Sequence, residues 1–131
     1  MDACYCDYGD GPSVMDEKTV KAKKAHKCSE CRGTILAGEA YLKTWGIWAS
    51  EARTFKRCSD CSELMAWAEA HVKCICWLYG DAHTNILEAM TEYDDECPGL
   101  LAEAEAKVKA VRTKRRELAA IEATLVQIER Q

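Results

Sequence analysis

Two Cys-x-x-Cys pairs, Cys28/Cys31 and Cys58/Cys61, stand 26 residues apart and constrain this chain more than any other feature. Each pair offers two soft ligands with a short bite. Together they match the four-coordinate tetrahedral shell of zinc, whose thiolate bonds are ~2.3 Å long. Between them, TILAGEAYLKTWGIW alternates turn residues with Tyr41, Leu42, Trp45 and Trp48, and RTFKR runs up to the second pair. This pattern predicts a hairpin that returns the chain to the first pair. That first pair lies in CSECRG, a knuckle in which Gly33 is expected to let the backbone curl around an ion. From Ser59 the pattern changes, with Leu64, Met65, Trp67, Ala68 and His71 at helical spacing and Ser59 or Asp60 available as N-cap. The second pair therefore sits at a helix start, where the helix dipole favours thiolates. A redox pair of thioredoxin type would follow a strand in a βαβ unit, and neither pair does.

Four further cysteines repeat a different spacing. Cys4-Tyr-Cys6 and Cys74-Ile-Cys76 each place two thiols one residue apart, and residues two apart in an extended chain point to one side. The two pairs supply a second set of four. A second zinc site would give the acidic, glycine-containing N-terminal stretch an anchor it otherwise lacks. Buried thiol pairs and redox chemistry stay open beside it, because cysteine is among the residues most often buried. Cys97 is spare, and His26, His71 and His83 are alternate ligands. No window approaches 18 uninterrupted apolar residues, and MDACYCDYGDG is acidic where a signal peptide would be positive. A soluble, cytoplasmic chain with no membrane partner is expected, in a compartment where reduced thiols bind metal rather than pair.

Residues 1–16 are expected to be loop, and AHTNILEAMTE (82–92) a short helix that Cys97-Pro98-Gly99 terminates. From Leu100 the chain has no Gly or Pro, and Val111, Leu118, Ile121, Leu125 and Ile128 follow heptad spacing. About 30 residues of helix span ~45 Å, too long for a head of this size to cover. The expected fold is a small α+β zinc-stabilised domain, treble-clef-like in its order of knuckle, hairpin and helix. Residues 1–96 form the two-zinc head, and 97–131 a long amphipathic helix that packs on it or self-associates.

Net charge is −4, against the basic balance usual for nucleic-acid-binding domains, and two zinc ions held by eight thiolates would take it to about −8. The charge is blocked. EKTVKAKKAHK and KVKAVRTKRR are basic, and Lys27, Arg32, Lys56 and Arg57 are placed to offset the thiolates.

The segments CYCDYGDGP, KAHKCSECRGTILAGEAY, TFKRCSDC and CICWLYG, within residues 4–80, together resemble small zinc-binding proteins encoded by tailed bacteriophages. The resemblance implies that both Cys-x-Cys pairs belong to the metal framework, and that the chain acts in the cytoplasm of a bacterial host. Phage accessory proteins that disable host defence, CRISPR inhibitors included, are often small binders, and a non-catalytic binder of a host protein is the function expected. Val111, Leu118, Ile121, Leu125 and Ile128 would supply the docking stripe, or a coiled-coil homodimer seam. The alternative is a zinc-ribbon-type nucleic-acid-binding or transcriptional factor, with Trp45, Trp48, Phe55, Lys56 and Arg57 as a stacking and phosphate-contacting face, Trp48, Lys56 and Arg57 foremost. Catalysis is not expected. Four Cys ligands close a zinc site, and residues 32–57 contain no His to activate water.

Overall fold

The computed structural model describes residues 12–72 and 75–130, in the order β1 (Val14–Lys21), β2 (His26–Lys27), β3 (Thr34–Ile35), β4 (Ala40–Trp48), β5 (Glu51–Cys58), α1 (Ser59–His71), α2 (Ala82–Tyr93) and α3 (Leu100–Glu129). The predicted hairpin is β4–β5, antiparallel from Tyr41↔Cys58 to Trp48↔Glu51. That register leaves only Ala49 and Ser50 as the loop. Both have positive φ, 48° and 67°, as expected of a two-residue turn whose twist matches the strands. The central strand is β4, because β1 pairs along its other edge from Val14↔Ile47 to Lys21↔Ala40.

Strand β1 corrects the expected loop over residues 1–16, since Val14, Met15 and Asp16 already belong to it. Seven of its eight residues are exposed, so it carries none of the apolar alternation that marks a half-buried strand. The knuckle is the short ladder His26↔Ile35 and Lys27↔Thr34. Its left-handed residue is Arg32, φ 63°, and not Gly33. Glycine is required at 33 for space, because a side chain there would collide with Cβ of Arg115 on α3.

Helix α1 is capped by Cys58, whose sulfur accepts from the Cys61 amide at 3.4 Å, one residue before the expected Ser59 or Asp60. It buries Cys61, Leu64, Met65 and Ala68 at the i, i+3, i+4, i+7 positions of one face. Leu64, Met65 and Ala68 pack with Ile86 and Met90 of α2 and with Leu100, Ala104 and Val108 of α3 in one apolar cluster. A second cluster surrounds the cysteines, with Ala22, Ile35 and Tyr41. Val111 touches both clusters. The first half of α3 is thus core, while its distal half carries Ile121, Leu125 and Ile128 at 51, 53 and 60% exposure. No helix among the described residues is long and apolar enough to cross a membrane.

Arg115 closes the interface between α3 and the knuckle. It is 1% exposed, and its guanidinium donates to Asp60 at 2.6 and 2.9 Å, to Glu39 at 2.9 and 3.1 Å and to the Thr34 carbonyl at 3.0 Å. Burial alone would raise the Asp60 carboxyl, but hydrogen bonds from Arg115 and Lys114 overcome this and hold it below the usual carboxylate range. A buried charge of this kind is costly once one side is removed, so Arg115→Leu should lower unfolding free energy by about 3 kcal/mol or more in denaturant titration. A chain ending after Arg116 should keep cooperative thermal unfolding. One ending after Gly99, lacking Leu100, Ala104 and Val108, should lose it.

Candidate metal centre

The knuckle and the start of α1 bring Cys28, Cys31, Cys58 and Cys61 together, with all four sulfurs within 4.8 Å of one another. Two of the separations are 3.8 Å (Cys28 to Cys61) and 3.9 Å (Cys31 to Cys58). A tetrahedron of ~2.3 Å metal–sulfur bonds has edges of ~3.8 Å, so the cage fits a single metal ion. Three of the four cysteines are buried, and Cys31 lies at the rim.

Each sulfur also receives an N–H. Cys28 accepts from the amides of Glu30 and Cys58, Cys31 from Gly33 and Cys58 from Cys61, all at 3.4 Å. Hydrogen bonds from Cys31, Cys58 and Cys61 push the Cys28 thiol down toward the thiolate. The hydrogen bond with Cys28 is the largest influence pushing Cys58 and Cys61 up, ahead of Cys31 and of burial, and the Cys28 charge adds to both. Without a cation the four cannot all ionise. A divalent ion removes that conflict and sets the site's charge at −2.

Cys61 takes its N–H from a side chain, His83 near the start of α2, whose Nε2 lies 3.3 Å from its sulfur. Arg112 on α3 donates its Nε–H to Nδ1 of the same ring at 3.2 Å, which fixes the remaining proton on Nε2. Burial, then the Arg112 charge, pushes His83 down to about 4, so the ring is neutral near pH 7 and donates to the sulfur. Sequence spacing does not reveal this support, since it offers His83 only as one of three alternate ligands. Its signal lay in a helix packed beside the second pair, 22 residues after Cys61.

The cations against the centre also differ from expectation. Arg112 acts through His83, and Arg115 lies close enough for Cys58 to help hold it charged against the opposing effect of burial, together with Glu39 and Asp60. Lys56 instead points its Nζ to His26 Nδ1 at 3.0 Å. Burial, then Lys56, Lys24 and Lys43, hold His26 below the ordinary histidine range. Arg57 has a buried Nε with no partner among the described residues.

Of the second expected set, Cys4, Cys6 and Cys74 lie outside the described residues. Cys76 is half-buried and disulfide-bonded, and so is not among the free thiols Cys28, Cys31, Cys58, Cys61 and Cys97. The described residues therefore hold one four-cysteine cluster. The trio Trp48, Lys56 and Arg57 does not converge. Trp48 packs edge-on against Phe55, ring centroids 5.5 Å apart, and Phe55 stacks on Tyr79 at 4.7 Å. Arg57 shares that face of the sheet, whereas Lys56 alternates to the other. In the docking stripe, Val111 is consumed in the core and Leu118 is half-buried, which leaves Ile121, Leu125 and Ile128 on the surface.

Partners that orient a metal ligand are worth about 10- to 100-fold in metal affinity. Replacing His83 with Phe, which keeps the ring volume and removes the donor, should weaken zinc binding by that factor in chelator competition, with helix content retained. Comparison with protein-family models, with curated proteins and with solved structures finds no match for this chain.

Proposed function

We propose that this chain is a non-catalytic binding protein, stapled by a structural zinc ion in a treble-clef-like head, that engages a host protein through the outer face of α3. Four thiolates fill the tetrahedral shell and leave no position for water or substrate, which supports a structural role for the metal. The resemblance to phage zinc-binding proteins supports a bacterial cytoplasm as the setting and inhibition of antiviral defence, CRISPR included, as the purpose. In that reducing compartment Cys76 would be released from its disulfide, and a second zinc ion held with Cys4, Cys6 and Cys74 is the form the resemblance favours.

The observation that carries the docking role is the row Ile121, Leu125 and Ile128, each more than half exposed on a helix that continues past the head. Large apolar side chains left in line on one helix face are the usual anchors of helix-in-groove recognition. Glu117 flanks the row on one side, and Glu122 and Glu129 flank it on the other. With Leu118 and Leu125 at a positions and Ile121 and Ile128 at d, a parallel second copy would set Glu117 against Glu122 across the seam. That pairing is repulsive and disfavours a homodimer. The favoured partner presents an apolar helix rimmed by Lys or Arg.

A helical peptide with Leu at its a and d positions and Lys at e and g should bind the full chain, and its Glu-rimmed counterpart should not. Ile121→Ser with Leu125→Ser should cost about 3 kcal/mol of that affinity by calorimetry. A wild-type dimer that this double substitution converts to monomer would identify the face as a self-association seam and overturn the proposal.

A further inference from the structure

The second basic block of the sequence, KVKAVRTKRR, is absorbed by the packing of α3, but the first, EKTVKAKKAHK, finds no role in the metal centre or the docking face. Its strand explains where it goes. In the antiparallel register Lys18 of β1 lies directly opposite Lys43 of β4, and Lys43 lies directly opposite Lys56 of β5. Directly paired residues share a face, so three lysines form one row across the whole sheet. One step along, Asp16, Trp45 and Thr54 form the next row on that face. No helix covers it: Asp16, Lys18 and Thr54 are exposed, and Trp45, at the centre of the central strand, is 40% exposed. A shallow depression of about 210 Å³ lies among Asp16, Lys18, Lys43, Trp45 and Thr54.

Both features oppose stability. Like charges placed directly across neighbouring strands repel, and a tryptophan on an open sheet forgoes the burial that a small domain needs. The opposite face, by contrast, buries Thr44 and clusters Trp48, Phe55 and Tyr79. We propose that this open face binds single-stranded nucleic acid, with Trp45 stacking on an unpaired base and Lys18, Lys43 and Lys56 contacting the adjacent phosphates.

The spacing suits that ligand. The strands that carry the lysines lie about 4.8 Å apart, Lys56 keeps its Nζ 3.0 Å from His26 Nδ1 at one end of the row, and the row lies about 6.8 Å along β4 from the Trp45 position, so one nucleotide can place its base on the ring and its phosphate among the lysines. Asp16 is the acidic group on this face, and it turns away phosphate at the far side of the ring. A duplex keeps its bases paired and cannot use Trp45. The site is independent of the α3 stripe, and of the expected nucleic-acid face it keeps Trp45 and Lys56 but not Trp48, Phe55 and Arg57, which lie on the opposite side of the sheet.

The test is fluorescence anisotropy with the full, zinc-loaded chain and a fluorescein-labelled oligo(dT) of about 15 nucleotides. Binding is expected at ~50 mM salt, with a slope of log affinity on log salt near −2 for three phosphate contacts. Lys43→Glu should weaken it roughly tenfold or more, and Trp45→Ala about fivefold or more. Lys109→Glu on exposed α3 should leave it unchanged. Lys43→Glu replaces two repulsive cross-strand pairs by attractive ones, so its unfolding temperature should equal or exceed that of the wild type, which separates lost binding from lost fold. The proposal is overturned by any of three results: no binding at ~50 mM salt, wild-type affinity in both Lys43→Glu and Trp45→Ala, or displacement by polyglutamate at the same concentration as unlabelled oligo(dT).

Discussion

Four sulfurs held within 4.8 Å of one another are a contradiction that only a cation resolves. Thiolates at that distance repel, and thiols there waste the N–H donors that four backbone amides and His83 aim at them. Everything nearby presumes the charged form. The Cys58 sulfur even caps α1, so an atom placed where it could hold a metal ion also starts the helix. Metal binding and folding of the head are one equilibrium in such an arrangement.

Around that centre the chain places its support in layers of increasing sequence distance. The knuckle and hairpin supply the ligands, α2 supplies His83, and α3 supplies Arg112 and Arg115. The approach of α3 is so close that residue 33 tolerates no side chain. A helix that resembled an appendage in its distal half is, in its proximal half, part of the wall of the metal centre. What remains outside is divided by chemistry. An apolar row edged by glutamates lies on the helix, and a lysine row beside a tryptophan lies on the sheet.

The ligand set Cys28, Cys31, Cys58 and Cys61, the hairpin and the extent of all three helices were legible because each leaves a local mark: a spacing, an alternation or a break such as Cys97-Pro98-Gly99. What was hidden depended on contacts between distant segments. β1 is an edge strand with almost no buried residue, so no hydrophobic pattern announced it. Arg115 interrupts the buried line of Leu100, Ala104 and Val108 with a charge, and only Glu39 and Asp60 in space make sense of it. Trp48, Lys56 and Arg57 do not share one face for an elementary reason. Neighbours along a strand point to opposite faces, so Lys56 and Arg57 are separated by the thickness of the sheet.

The Arg115 clamp also sets an order of assembly. Its carboxylate partners precede it by 76 and 55 residues, so Glu39 and Asp60 leave the ribosome long before the guanidinium that neutralises them exists. Until then the head carries two carboxylates beside the cysteine cluster, with water and, for Glu39, the Leu36 amide at 2.6 Å to soften them. Closure of this side thus waits on α3, which follows both carboxylates in the chain. The nascent head is an intermediate with an open side, and that side is completed by the same helix whose far end carries the exposed Ile121, Leu125 and Ile128.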